Sequence, residues 1–218
     1  MSSHKPRGFA RRPPKREEGS KVIIVCEGSK TEKNYFEAIR KDLRLTTVQI
    51  AVYHPNGTNP RLIVDSARQK RQEQINDKTW NGQKDTAWAV YDGVEHFNNN
   101  SADWHEAINI ARDHKINLAI TNPSFEFYYL LHFQDQTGWL ERDAVKKLLT
   151  DKWITDYDKG AVYYPVLLKK LTGAAAARAQ KLARYAEENN LELHKCLCAA
   201  GVANLVVLLH GLAASSAR

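Results

Sequence analysis

Two acidic residues directly follow short apolar segments of the chain. Glu27 comes after VIIVC, Asp92 comes after TAWAVY, and a glycine follows each of them. If the two segments are neighbouring parallel strands, both carboxylates emerge at one edge of the sheet, where open α/β sheets bind ligands. Carboxylates this close repel each other unless a proton or cation lies between them, and their oxygens suit Mg²⁺. The pair therefore predicts a metal site, although either residue alone would also serve as a helix cap.

The elements that must position these carboxylates alternate between strand and helix. Strands are predicted at 21–26, 47–54, 86–91 and 117–121, with helices after each of them. This order is typical of parallel strands joined by right-handed crossovers. Thr31, and then either Ser101 or Asp103, are the predicted N-caps of two of the helices. Beyond Trp139 the signals are helical, at 139–150, 163–171, 173–189 and 202–213.

The predicted fold class is therefore α/β, a small Rossmann-like parallel sheet sandwiched by helices, with a C-terminal helical subdomain. The predicted organisation is a basic arm at 1–20, the α/β core at 21–135 and a helical region at 136–218.

Positive charge is concentrated at the start of the chain. The formal net charge is +7, and residues 1–21 hold seven Lys and Arg against two Glu. Proline interrupts this segment and prevents a continuous helix. A flexible arm that contacts phosphates would have this composition, and so would a solvated tail without a function. The candidate phosphate-binding residues of the arm are Arg7, Arg11, Arg12, Lys15 and Arg16.

Composition argues against a membrane or secreted protein. The longest apolar run, 205–209, is far shorter than the ~20 residues that span a bilayer. The basic arm lacks the apolar core of a secretory signal. The three cysteines, Cys26, Cys196 and Cys198, lack the spacing of a zinc site, so we expect ordinary reduced thiols in a cytoplasmic protein.

Three segments resemble the RloB family, whose core is a TOPRIM domain. VIIVCEGSKTEKNYF resembles the opening motif, AVYDGVEH the second TOPRIM motif, and TNPSFEFYYLLHF a family-specific segment. They occur in the family's order over residues 22–133. The resemblance implies a TOPRIM-like fold with a divalent metal site.

The resemblance also implies roles for individual residues. Glu27 matches the general acid/base, Asp92 the first member of a metal-binding aspartate pair, and Glu126 a further glutamate of the site. The second aspartate would fall at Val94, which cannot bind metal, and either Glu95 or His96 could substitute for it. The implied cofactor is Mg²⁺ or Mn²⁺, with Glu27, Asp92 and Glu95 as ligands. Lys30 would contact phosphate, and Glu32 and His96 would lie beside the site.

Two functions follow from the resemblance. The first is a Mg²⁺-dependent nuclease in prokaryotic defence against phage, such as abortive infection; RNA, including tRNA, is the favoured substrate and DNA is the alternative. The second is a catalytically degenerate TOPRIM module that binds nucleic acid or a partner, which Val94 favours. We expect a homo-oligomer or complex subunit. Any ATPase of the defence system would be a separate chain, because no phosphate-binding loop of the GxxxxGK[ST] type is present.

Other residues that could do chemistry also have structural interpretations. Ser124 is expected at a helix terminus because no GxSxG motif is present, and His132 is expected in the core. His96 fits the site and the surface equally well. A helix carrying Arg61, Arg68, Lys70 and Arg71 could extend a basic groove, but a solvated helix face is the simpler interpretation.

Overall fold

A computed structural model describes residues 19–52 and 59–216 of the chain. Within these residues a single parallel sheet forms in the order β2-β1-β3-β4. Its strands are β1 (Val22–Cys26), β2 (Val48–Val52), β3 (Thr86–Asp92) and β4 (Asn117–Thr121). Because β1 and β3 are neighbours, Glu27 and Asp92 meet at the carboxyl edge of the sheet. The predicted α/β class with a parallel sheet between helices is confirmed.

The two faces of the sheet are covered by different helices, because side chains alternate along each strand. Ile23 and Val25 face one cluster with α2 (Pro60–Asn76) and α4 (Ser101–Asp113). Val22, Ile24 and Cys26 face the other cluster, which contains α1 (Thr31–Asp42) and α5 (Phe125–Phe133). Every residue of β1 is buried, as expected for a central strand covered on both sides.

The C-terminal helices complete the second of these clusters. They are α6 (Arg142–Lys152), α7 (Thr172–Glu188) and α8 (Ala200–Ser216), and a π-helical turn at Tyr164–Leu168 precedes α7. Helix α8 packs directly on β4. A Cβ atom on Gly201 would overlap the backbone of Leu118 and Ala119, so glycine is what allows this close approach. Most core residues of 136–218 thus pack in one cluster with those of the sheet, and Ala186, Cys196 and Cys198 join the cluster on the other face.

Local details differ from the sequence-based predictions. Thr31 is the first residue of α1, and Lys30 occupies the N-cap position. Asn100, rather than Ser101 or Asp103, caps α4 by accepting hydrogen bonds from two backbone amides. The six-residue helix α3 (Val94–Asn99) was not predicted, because so short an element carries too little periodicity.

Two exclusions drawn from composition have structural counterparts. All three cysteines are free and buried, as expected for ordinary thiols. Among the helices of the described residues, none has both the length and the hydropathy needed to cross a bilayer. The basic residues of the arm, from Arg7 to Arg16, lie outside the described residues.

Candidate active site

A cleft of about 340 Å³ opens at the carboxyl edge of the sheet. We call it the acidic cleft, because four carboxylates line it. Its lining residues are Glu27, Gly28, Ser29, Lys30, Thr31, Glu32, Asp92, Glu126, Arg142 and Lys159. These residues come from the ends of strands β1 and β3, from the starts of α1 and α5, and from the helical region beyond 136. Three cations, Lys30, Arg142 and Lys159, lie among the acids.

Glu27 is fixed by contacts at both of its carboxylate oxygens. Oε2 accepts a hydrogen bond of 3.1 Å from the backbone N–H of Asp92. Oε1 lies 2.9 Å from Nε2 of His96, whose side chain is 5% exposed. The short helix α3 brings His96 to this position, one turn after β3 ends. His96 is therefore buried beside Glu27 and does not lie on the surface.

Asp92 is the most enclosed carboxylate at the strand ends. Its Oδ1 accepts a hydrogen bond of 2.7 Å from the Thr121 hydroxyl on β4, and its Oδ2 accepts one of 2.7 Å from Nη2 of Arg142. Burial, with repulsion from Glu32 and Glu27, raises the pKa of Asp92 well above its usual value. Arg142 and Thr121 oppose that shift without cancelling it. The surroundings of Asp92 therefore disfavour its ionised form.

Glu32 points back over the loop between β1 and α1. A Cβ atom on Gly28 would overlap the Glu32 carboxylate, so the glycine leaves room for this side chain. Burial is the main reason that the pKa of Glu32 rises to about 7, and repulsion from Glu27 and Glu126 adds to the effect. Glu32 can therefore exchange a proton near neutral pH.

Glu126 lies on the opposite wall, in the first turn of α5. The Tyr157 hydroxyl donates a 3.3 Å hydrogen bond to its Oε1, and Nζ of Lys159 lies 3.5 Å from the same oxygen. Burial alone would raise the pKa of Glu126. The neighbouring Ser124 side chain and the backbone, together with Lys159 and Lys146, outweigh burial and lower that pKa. Glu126 is thus a stable anion.

The loop before α5 is held by the C-terminal region. The backbone N–H of Asn122 donates to the Cys198 carbonyl at 2.9 Å, and its side-chain amide donates to the carbonyls of Cys196 and Leu193 at 2.8 and 3.2 Å. These three hydrogen bonds fix where α5 begins. They therefore position Glu126 relative to the strand ends.

The remaining predicted residues are placed as follows. Lys30 lines the cleft at the N-terminus of α1, whereas Glu95 has a 58% exposed side chain that pairs with Arg142 at 3.1 Å. His132 is buried in the aromatic core, as predicted, with Nδ1 2.9 Å from the Tyr128 carbonyl. Ser124 stands at the N-cap position of α5, also as predicted.

The basic residues of α2 pair locally. Arg61 approaches Glu106, Arg68 pairs with Asp65, and Arg71 lies over the ring of Trp80. These contacts fit the interpretation of a solvated helix face.

Four residues that contact the predicted carboxylates were not indicated by the sequence pattern. They are Thr121, Arg142, Tyr157 and Lys159. Thr121 could have been noticed as the last residue of a predicted strand. The other three lie in the helical region beyond 136, and no local pattern relates them to Glu27 or Asp92. Only the packing of that region against the sheet brings them to the cleft.

The family of the chain follows from its sequence as a whole. The pattern of the RloB-like protein family matches residues 22–209. The chain belongs to the RloB-like family. No curated protein and no solved structure matches it. The match includes Arg142, Tyr157 and Lys159, so the family's extent covers both walls of the acidic cleft.

A divalent cation fits the donor chemistry of the acidic cleft, although no preassembled ligand set is formed. Glu27, Glu32 and Asp92 supply the oxygen donors that Mg²⁺ prefers, and their mutual repulsion would be relieved by a cation. Within residues 19–52 and 59–216, however, no three His, Cys, Asp or Glu side chains are grouped so as to hold a metal ion. Arg142 and His96 already contact the oxygens of Asp92 and Glu27.

Proposed function

We propose that this RloB-like protein is a Mg²⁺-dependent nuclease with a TOPRIM-type core that cleaves RNA, including tRNA, in prokaryotic defence against phage. The observation that carries the proposal is the grouping of Glu27, Glu32, Asp92 and Glu126 in one cleft with three cations. Cutting a phosphodiester requires an activated nucleophile and stabilisation of charge on the phosphate and the leaving oxygen. The RNA substrate and the defence role rest on the resemblance of the three motifs.

The cations of the cleft suit a phosphate group. Lys30 is exposed at the N-terminus of α1, where the free backbone amides of a helix also attract anions. Arg142 and Lys159 reach the same cleft from the opposite side. A phosphodiester bound between them would place its scissile bond beside the carboxylates at the strand ends.

Proton transfer can be assigned to two glutamates. Glu27 is oriented by His96 and by the Asp92 amide, so its carboxylate can accept a proton from an attacking water or from an RNA 2′-hydroxyl. Glu32, with a pKa of about 7, can hold a proton for the leaving oxygen. A divalent cation held by Glu27 and Asp92 would neutralise charge on the scissile phosphate.

The test compares the wild type with Glu27→Ala on total tRNA and on plasmid DNA, each with Mg²⁺ or with EDTA. We expect RNA cleavage that requires Mg²⁺ and falls by at least about 10²-fold in the variant, because a positioned general base contributes that much or more. Glu37→Ala on α1 is the matched control, because Glu37 pairs with Arg40 outside the cleft. Analysis of the product ends separates attack by water from attack by the 2′-hydroxyl.

Two outcomes would contradict the nuclease. Equal cleavage by the wild type and Glu27→Ala would locate the chemistry elsewhere. No cleavage of either polymer, with salt-dependent binding that survives Glu27→Ala, would favour the second candidate, a degenerate TOPRIM module that binds nucleic acid. Val94 and the pairing of Asp92 with Arg142 are the observations on the side of that candidate.

A further inference from the structure

Arg142 makes two contacts that no sequence motif indicates. Its Nη2 atom lies 2.7 Å from Oδ2 of Asp92 and 3.1 Å from Oε2 of Glu95. One guanidinium group therefore bridges the carboxylate of Asp92, the last residue of β3, and the carboxylate three positions later. Arg142 is the first residue of α6, and its side chain is one-third exposed, so it has room to move.

The guanidinium lies at the end of β3, beside a position without an acidic side chain. Two residues after Asp92 the chain has Val94, which offers no carboxylate. In the structure a positive side chain, rather than a second acid, adjoins Asp92. The other oxygen of Asp92 accepts the Thr121 hydroxyl, so both oxygens have partners.

We propose that Arg142 and a divalent cation compete for Asp92, so that the guanidinium must leave before the metal can bind. The proposal rests on the metal site of the proposed function and adds a condition on its use. Two cations cannot share one enclosed carboxylate without repulsion, and Asp92 has a side chain only 13% exposed.

The competition couples metal binding to phosphate binding. Arg142 lines the same cleft as Lys30 and Lys159, so a bound phosphate can take over the guanidinium in a bidentate contact. That transfer would free Asp92 for the metal. The substrate would then promote assembly of its own site, and metal affinity would be low without it.

The experiment measures Mn²⁺ affinity of the full chain by isothermal titration calorimetry, without nucleic acid. Arg142→Gln removes the competing charge and should bind Mn²⁺ at least about tenfold more tightly than the wild type, equivalent to about 1.4 kcal/mol. Lys147→Gln is the matched control: it removes one charge from the same helix, where Lys147 pairs with Asp151 at the surface. The Mn²⁺ affinity of Lys147→Gln should differ from that of the wild type by less than about twofold.

Two further variants secure the interpretation. Adding Asp92→Asn to Arg142→Gln should abolish the gain, which assigns it to this carboxylate. Arg142→Met keeps the aliphatic stem of the side chain and replaces Arg142→Gln if circular dichroism shows that the latter is unfolded.

Each remaining outcome overturns the competition. If Arg142→Gln binds Mn²⁺ no more tightly than the wild type, Arg142 does not compete with the metal. The proposed nuclease would still stand if the wild type binds Mn²⁺ and cleaves RNA. An equal gain in Mn²⁺ affinity in Lys147→Gln would show that the gain comes from the lower net charge of the protein and not from Arg142. If neither the wild type nor Arg142→Gln binds Mn²⁺, the metal dependence of the proposed function fails as well.

Discussion

Glu32 and Glu126 line the same acidic cleft and are both buried, yet their ionisation is shifted in opposite directions. The pKa of Glu32 rises to about 7, because burial is reinforced by two neighbouring carboxylates. The pKa of Glu126 falls, because a hydroxyl, the backbone and two lysines outweigh its burial. Neighbouring groups, rather than depth, therefore decide which acid can exchange a proton and which remains an anion.

The two walls of the cleft have different origins. The wall with Glu27, Glu32 and Asp92 is formed by strand ends and the start of α1. The wall with Glu126 has its cations supplied by the helical region beyond 136. The first wall suits proton transfer and metal binding. The second wall supplies the permanently ionised carboxylate of Glu126, which faces the first wall across the cleft.

The largest effect on stability is expected from Glu32→Gln. The folded chain retains a proton at Glu32 that the unfolded chain releases, so the free energy of unfolding of the wild type decreases as pH rises from about 4.5 to about 7. The variant should therefore be more stable than the wild type by about 2–3 kcal/mol at pH 8, and by much less at pH 5. Urea unfolding at both pH values measures this difference.

Glu37→Gln on the same helix provides the control for Glu32→Gln, because Glu37 lies outside the cleft beside Arg40. A difference between Glu32→Gln and the wild type that is the same at pH 5 and pH 8 would contradict the raised pKa. It would indicate a packing effect of the amide instead.

Glu126→Gln should act in the opposite direction. Its carboxylate has a lowered pKa in the folded chain, so it contributes stability above the unfolded pKa and loses that contribution as pH falls through the folded value. We expect the free energy of unfolding to be about 1.5–2 kcal/mol lower than that of the wild type at pH 7, in the lower part of the range for hydrogen bonds to charged groups. The difference should narrow towards pH 4. Urea unfolding across this range tests the sign, with the exposed Glu188→Gln as control. A variant more stable than the wild type at pH 7 would break the contrast between the two glutamates.

The smallest effect is expected from Thr121→Val, which keeps the shape of a fully buried side chain and removes its hydroxyl. Asp92 then loses a 2.7 Å hydrogen bond. We expect the free energy of unfolding to fall by about 1 kcal/mol at pH 7 and the pKa of Asp92 to rise further. Thermal unfolding measures the change in stability, and NMR titration of the Asp92 carboxyl measures the pKa. Thr150→Val, at an exposed position on α6, should change neither. An unchanged Asp92 titration in Thr121→Val would mean that the hydroxyl does not stabilise the carboxylate.

Much of the sheet could be predicted from local sequence. The runs that form β1, β3 and β4 are short, apolar and bounded by turn residues, so both their type and their position followed from the pattern. Glu27 and Asp92 were found because each lies at the carboxyl end of such a strand, and the position of a residue at a strand end is a local property. The N-caps of α1 and α4 and the short helix α3 were missed, because single residues and single turns carry weak signals.

The sequence by itself determined the parallel α/β class and the two carboxylates at the strand ends, because alternation and burial act over a few neighbouring residues. Only the tertiary structure decided which cations reach those carboxylates. Arg142 lies 50 residues beyond Asp92, and it reaches that residue because α6 lies beside the carboxyl edge of the sheet. The same packing sets the opposite pKa shifts of Glu32 and Glu126, since electrostatic interactions depend on distances in space rather than along the chain.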